Sequence, residues 1–302
     1  MNIIFFANGD FAINSLNALI KSNHNILAVV TNKDKKIGRG LKLKESLISN
    51  LSTKQSLEVL KVDKFNDIFF TTRLKELNAD LFVVISYRIL PSFIYTIPKF
   101  GSINIHTSLL PEYRGAAPIQ RSIMDGKNYL GLSSFFLNDN IDEGNIIDNL
   151  KIDINESITY GESLDLLSSK ASFFLLNSLK KIINREEVIK QDSIKTTYAK
   201  KIKKNEYNIS LNYDSKHIHN KIRALTPPGC YIYFDNKRVK IFKTFYNNDL
   251  LPIGNYKFVD NVLFIGCKNG CIEIEEIQFE GKGRISVNDF KNMNFKDNKI
   301  FK

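Results

Sequence analysis

Residues Ile3 to Thr31, IIFFANGDFAINSLNALIKSNHNILAVVT, decide the fold. Ile3 to Ala7 is an uninterrupted apolar run of strand length, and Asn8-Gly9-Asp10 is a turn. Phe11 to Ile20 then places Phe11, Leu16, Leu19 and Ile20 at helical spacing, and Ile26 to Thr31 is a second apolar run. A strand, a turn, a helix and a strand in that order predict an α/β fold: a doubly wound, mostly parallel, Rossmann-like sheet. The turn lacks the GxGxxG spacing of a dinucleotide site.

The pattern continues outward. Asn32 to Lys44 (NKDKKIGRGLKLK) is a basic loop in which Gly38 and Gly40 flank Arg39. Glu45–Ser56 and Phe69–Asn78 read as helices, and Glu58–Val62 and Asp80–Ser86 as strands. Ile94 to Phe100 leads into a strand carrying Asn104 and His106, which precedes a helix over Ala117–Met124 and a strand over Ser133–Leu137. Gly161–Ile183 is a long helix. After Arg185 the chain turns polar and lysine-rich. From Tyr207 it has one helix, Ser215–Ala224, and short strands separated by Asn/Gly turns, the pattern of a small OB-like β-barrel. The expected organisation is a catalytic domain over 1–189, a linker over 190–205 and a C-terminal domain over 206–302.

At 302 residues, 43% apolar and 25% charged, the chain has the composition of a globular protein with a substantial core. No apolar run reaches membrane-spanning length, and the start has neither a basic n-region nor a cleavage site, so a cytoplasmic protein is expected. Three cysteines (Cys230, Cys267 and Cys271) fit a reducing compartment, and their spacing makes no metal framework. The net charge of +11 suggests an anionic partner such as nucleic acid, although a Lys-, Asn- and Ile-rich composition produces the same excess without selection for binding. Only nine of the 43 basic residues are Arg, so a retained Arg carries more information than a Lys; Arg39, Arg114 and Arg121 lie in the motif segments.

Side chains two apart on a strand share a face, so Asn104 and His106 project together where their strand gives way to a loop. With Asp142 in the Asn138–Gly144 loop they make an amide, an imidazole and a carboxylate. Such a set can donate to a developing oxyanion, accept a proton and orient the acceptor. No nucleophile elbow, P-loop or His/Cys cluster accompanies them, which points to direct attack by a substrate group. Open α/β sheets bind ligands at the carboxyl ends of their strands, and Ser86–Leu90, Asn104–Pro111 and Asn138–Gly144 are expected to meet there. Taken singly, each residue has a plainer reading: a structural His, a turn Asp, a strand-capping Asn.

The order of motifs adds a resemblance. Asn-x-His-x-Ser-Leu-Leu-Pro (104–111), Tyr-Arg-Gly-Ala-Ala-Pro-Ile-Gln (113–120) and Ile-Asp-x-Gly (141–144) resemble the formyltetrahydrofolate-dependent formyltransferases. GDFAINSLNALI, the KKIGRGLKLK loop, RALTPPGCYIYFDNKRVKI and IQFEGKGRISVNDF extend it nearly end to end. The GRG loop and the C-terminal segments are similar to the branch that formylates methionyl-tRNA.

The resemblance implies that Asn104, His106 and Asp142 are catalytic. It implies a folate pocket lined by Arg88, Ile89, Leu90, Ser108, Leu109, Leu110, Pro111, Asn138, Asp139, Asn140 and Ile141. The co-substrate would be 10-formyltetrahydrofolate, with no metal. The acceptor would be initiator methionyl-tRNA, held by Lys36, Arg39 and Lys42 and by Lys237, Arg238 and Lys240 of the C-terminal barrel. A monomer is expected. Three positions depart from the family pattern: Ala7-Asn8-Gly9-Asp10 stands for Gly-Thr-Pro-Asp, Thr107 for a common Gly, and Tyr87-Arg88 for Tyr-Gly. An N-formyltransferase of nucleotide-linked amino sugars would share the trio, but the GRG loop and IQFEGKGRISVNDF argue against it. A non-catalytic RNA-binding relative would not need the intact trio.

Overall fold

β1 (Asn2–Ala7) carries five consecutive wholly buried residues, Ile3 to Ala7. A strand covered on both faces has no polar side to alternate, which is why its sequence is a continuous apolar run. The computed structural model describes residues 1–37, 42–291 and 300–302, with side chains outside 35–44. A short 3-10 turn (Asp10–Ala12) leads into α1 (Ile13–Ile20) and back to β2 (Asn25–Asn32), parallel to β1. β3 (Lys35–Ile37) and β4 (Lys42–Lys44) form an antiparallel hairpin in the basic segment. Lys36 and Lys42 lie on its two strands, and Arg39 lies outside the described residues.

α2 (Leu47–Lys54) begins at Ser46, whose hydroxyl accepts the Ser49 N–H at 3.1 Å. β5 (Val59–Val62) pairs parallel to β2. α3 (Ile68–Glu76) begins at Asp67, whose carboxylate accepts the N–H groups of Phe69 and Phe70 at 2.9 and 3.2 Å. β6 (Leu81–Ile85), α4 (Ser92–Tyr95) and β7 (Ser102–His106) follow, with β6 parallel to both β1 and β7. Then come β8 (Arg114–Gly115), α5 (Pro118–Met124), β9 (Tyr129–Phe136), β10 (Ile146–Asp153) and α6 (Tyr160–Ile183). The seven-stranded sheet has the order β10-β9-β7-β6-β1-β2-β5.

β9 is antiparallel to β7, within the mostly parallel sheet expected, and the segment read as a basic loop contains the paired β3 and β4. β10 is a strand that the apolar pattern did not announce. It is an edge strand with alternating exposure, so its sequence, IIDNLKID, mixes polar residues into the run.

The remaining elements are β11 (Tyr198–Ala199), α7 (Ser215–Ala224), β12 (Cys230–Phe234), β13 (Lys237–Ile241), β14 (Thr244–Asn247), β15 (Tyr256–Val259), β16 (Val262–Gly266), β17 (Cys271–Ile274), β18 (Glu276–Phe279), β19 (Arg284–Ser286) and α8 (Val287–Lys291). They build two four-stranded antiparallel sheets, ordered β12-β13-β18-β19 and β14-β17-β16-β15. β12 and β13 are joined by Asp235-Asn236, both at positive φ, a two-residue turn whose twist suits a hairpin. The core between the sheets gathers Ile232, Phe234, Ile265, Ile272, Phe290 and Phe301. Cys230, Cys267 and Cys271 are free, buried thiols here, and burial pushes the first two up to about 12.

The chain forms two compact units. One comprises residues 1–115, 131–152 and 164–198; the other comprises 116–130, 153–163 and 199–302. The lysine-rich stretch 190–205 is divided between them. Among the described residues no helix is long and apolar enough to cross a membrane, and no group of three or more His, Cys, Asp or Glu is placed to hold a metal.

Candidate active site

β7 places the central pair. It lies between β6 and β9, with Asn104 opposite Val84 on one side and Phe135 on the other. Ile103 and Ile105 are buried in the sheet's packing, and Asn104 and His106 share the alternate face. His106 is 8% exposed, and Asn104 is half-buried with no hydrogen bond from its amide to another described residue.

His106 Nε2 lies 2.9 Å from the Tyr113 carbonyl oxygen. A carbonyl only accepts, so Nε2 carries the hydrogen and Nδ1 holds the lone pair. Nδ1 faces the Asp142 carboxylate, with Oδ2 at 3.7 Å. The same Oδ2 accepts the Gly115 N–H at 2.8 Å. A proton arriving on Nδ1 therefore meets a carboxylate held in place by the backbone.

Asp142 reaches His106 by an indirect route. Phe136 stands opposite Ile103 and Ser133 opposite His106, so β9 leaves the sheet beside the start of β7. The 138–144 loop was expected to meet the 104–111 segment, and Asp142 does lie beside His106; by this register the loop doubles back to get there. Asn138 Oδ1 accepts the Asn140 N–H at 3.0 Å, Tyr95 donates its hydroxyl to Asp139 Oδ1 at 2.7 Å, and Asp142 adopts φ +56°. Gly144 lets the loop return, because a Cβ there would lie 1.6 Å from the Phe136 carbonyl oxygen.

The inferred folate-lining residues fall into distinct roles. Ser133 Oγ accepts the Leu110 N–H and donates to the Ser108 carbonyl, which fixes the Ser108–Leu110 backbone. Leu110 packs with Phe135 and Ile146, and Leu90 packs with Phe6, Val84 and Ile94; both are core residues. Leu109 and Pro111 are half-buried. Ile89 and Ile141 are 71% and 57% exposed, which leaves two large apolar side chains uncovered on the segments that flank β6 and the doubling-back loop. Arg88 turns aside: its guanidinium donates to the carbonyls of Val62 and Asp63 and lies 4.1 Å over the Phe65 ring. Beside it the Tyr87 hydroxyl is buried, and burial pushes its pKa up.

Of the inferred tRNA contacts, Lys237, Arg238 and Lys240 lie on β13, in the second unit. Arg238 and Lys240 share the outward face, opposite Val239 and Ile241, which are in the core. Arg238 pairs with Glu280 at 3.3 Å and lies 5.4 Å over the Tyr231 ring; Lys240 donates to the Pro228 carbonyl at 3.3 Å. Tyr231 and Tyr233, opposite Lys240 and Arg238 in register, add rings to this face. The aromatic members were visible as YIY before the turn but were not singled out. Sequence reading placed Arg114 in a motif segment without giving it a role, and missed Glu143 and Gln191; in the structure Arg114 bonds Glu143 and Gln191, and Gln191 bonds the Asp142 carbonyl.

Residues 1–175 match the family described as "Formyl transferase", and residues 201–294 match "Formyl transferase, C-terminal domain". The methionyl-tRNA formyltransferase of Caldicellulosiruptor saccharolyticus is 38% identical, over 97% of this chain and 96% of its own. Among solved structures, a sugar 3N-formyl transferase, WlaRD, aligns with TM-score 0.67 at 22% identity, covering 94% of this chain and 99% of its own. The methionyl-tRNA formyltransferase from Clostridium thermocellum aligns with TM-score 0.58 at 18% identity, covering 91% and 98%. The two structures share the fold. With both family segments present in order and the likeness to the Caldicellulosiruptor enzyme running along the full length, this chain belongs to the methionyl-tRNA formyltransferase family.

Proposed function

We propose that this enzyme transfers the formyl group of 10-formyltetrahydrofolate to the free α-amino group of methionyl initiator tRNA, a step of translation initiation. The observation that carries the reading is the Asn104, His106 and Asp142 arrangement. An uncommitted amide shares a strand face with an imidazole whose free nitrogen faces a carboxylate.

The residues present fit a folate. The exposed Ile89 and Ile141 side chains offer apolar cover for a ring system, and the Asn104 amide is free to bond an oxygen. The bound co-substrate supplies an activated formyl carbon. Asn104 donates to the formyl oxygen as negative charge develops on it. As the amine–formyl bond forms, His106 Nδ1 would take the proton that the amine must lose and Asp142 would stabilise the imidazolium so formed; as the bond from the formyl carbon to N10 breaks, that proton would return to N10, releasing tetrahydrofolate. The Tyr113 carbonyl keeps the ring oriented throughout.

Support for a tRNA acceptor comes from the net charge of +11 and from the β13 face. On that face Arg238 and Lys240 can meet phosphates, and Tyr231 and Tyr233 present rings to unpaired bases. The hairpin bearing Lys36 and Lys42, with Arg39 between its strands in the sequence, is the second candidate surface. By this reading the first unit is catalytic and the second holds tRNA. The test is direct: supply 10-formyltetrahydrofolate with methionyl-tRNA or with a nucleotide-linked amino sugar. Formylmethionyl-tRNA is the expected product; formylation of the sugar alone would overturn the acceptor assignment.

A further inference from the structure

Asp142 holds a left-handed backbone conformation, φ +56°, uncommon among non-Gly residues but open to Asp, and its surroundings hold it there. Those surroundings come largely from one distant side chain. Gln191 donates one amide hydrogen to the Asp142 carbonyl at 2.9 Å and the other to the Gly144 carbonyl at 2.8 Å. Its oxygen accepts from Arg114 Nε at 3.0 Å and from the Arg114 NH2 group at 2.7 Å. Arg114, 5% exposed, directs its remaining amino group to Glu143 Oε1 at 2.7 Å. One amide thus uses both hydrogens and its oxygen, and with Arg114 it grips residues 142, 143 and 144 in succession.

The grip is continuous with the other side of His106. Thr197, in the same chain segment as Gln191, accepts the Tyr113 N–H on its hydroxyl at 2.8 Å and the Arg114 N–H on its carbonyl at 2.9 Å. It donates its own N–H to the Pro111 carbonyl at 3.3 Å. Tyr113, whose carbonyl holds His106 Nε2, is itself at φ +57°. Residues 191–197 therefore support both partners of the imidazole: the carboxylate facing Nδ1 and the carbonyl at Nε2.

We infer that Gln191, locked by Arg114, is a positioning residue that sets the distance and angle between the Asp142 carboxylate and His106. It acts through Asp142, whose loop it holds. The kinetic consequence rests on the formyl-transfer reading, and the geometric one does not. Two variants separate the parts. Gln191→Leu keeps the volume and removes every polar bond. Gln191→Glu keeps the acceptor for Arg114 and removes both donors to the loop.

Two readouts test the inference. The first is the 15N spectrum of the His106 ring, assigned with His106→Asn. Both Gln191 variants are expected to move its signals in the direction that Asp142→Asn moves them, with or without activity. The second is a kinetic cycle. Gln191→Leu is expected to lower kcat by about 10- to 100-fold, as for a misplaced catalytic group, with KM for the folate little changed. In the Asp142→Asn background its further effect should be below about 2-fold, because the two act through one group. Should Gln191→Leu fail to fold, Gln191→Glu carries the same test. Unmoved His106 signals, or losses that multiply in the double variant, would overturn the inference. A wild-type chain that formylates neither acceptor would sink the functional reading alone, and the ring spectrum would still decide the clamp.

Discussion

His106 can accept a proton at one nitrogen only, because the Tyr113 carbonyl claims the other. Nδ1 points toward Asp142, and Asn104, one strand repeat back, has no hydrogen bond from its amide to another described residue. On the proposed reading that amide meets the oxygen of the reacting group. Asn104→Ala is expected to lower turnover by about 100-fold or more while folate binding persists, as for loss of an oxyanion donor; single-turnover formylation beside equilibrium folate binding checks it. Gly144 is the second critical residue. Its Cβ would sit 1.6 Å from the Phe136 carbonyl, so Gly144→Ala must displace the loop that carries Asp142. Turnover should fall by about 100-fold, since displacing a reacting group by about 1 Å costs that much. Gly283→Ala, where an added Cβ meets nothing within 4 Å, should leave turnover unchanged.

At the scale of elements, β13 separates its roles by alternation: Val239 and Ile241 inward to the core, Arg238 and Lys240 outward. Converting the outward pair to Gln should weaken tRNA binding and reduce the slope of log affinity against log salt by about 2, one for each phosphate no longer neutralised, with folate binding unchanged. Titrations at several salt concentrations measure this. Legible in advance were β1, β2 and β6, whose runs are apolar, and α7, read over its observed limits. β13 was not, because Val239–Phe245 reads as one strand that the structure divides between β13 and β14. β10 was not, because an edge strand needs only one buried face. Nor was the doubling-back of 138–144, because it follows from the antiparallel register of β9 on β7, which no local pattern encodes. Asn104 and His106 announced themselves by sharing one strand; Gln191 could not, since a polar residue in a lysine-rich stretch looks like solvent-facing chain.

At the scale of the whole molecule, stability should depend on pH through a histidine unrelated to catalysis. His219 on α7 is 2% exposed, with Nε2 donating to the Glu156 carbonyl at 2.9 Å and Nδ1 accepting from the Thr244 hydroxyl at 3.0 Å. Burial pushes its pKa below the ordinary value of 6.5, and the charge of Arg223 adds to the effect. Below 6.5 the unfolded chain takes up a proton that the native chain refuses. Stability from this residue is therefore whole above that pH and declines as pH falls beneath it. Urea unfolding at about pH 7.5 and about pH 5.5 should show a decline in wild type that is smaller in His219→Gln.

The segment 191–197 has a further consequence, in the order in which the chain is made. All the strands of the large sheet precede it, so a growing chain can pair β1, β2, β5, β6 and β7 and already possess Asn104, His106 and Asp142. It still lacks the residues that hold the carboxylate and the carbonyl on either side of the imidazole. An unfinished product that ends before Gln191 would carry Asn104, His106 and Asp142 without the bonds that hold the Asp142 loop and the Tyr113 backbone. On the proposed reading, full competence would arrive only once residues 191–197 are in place.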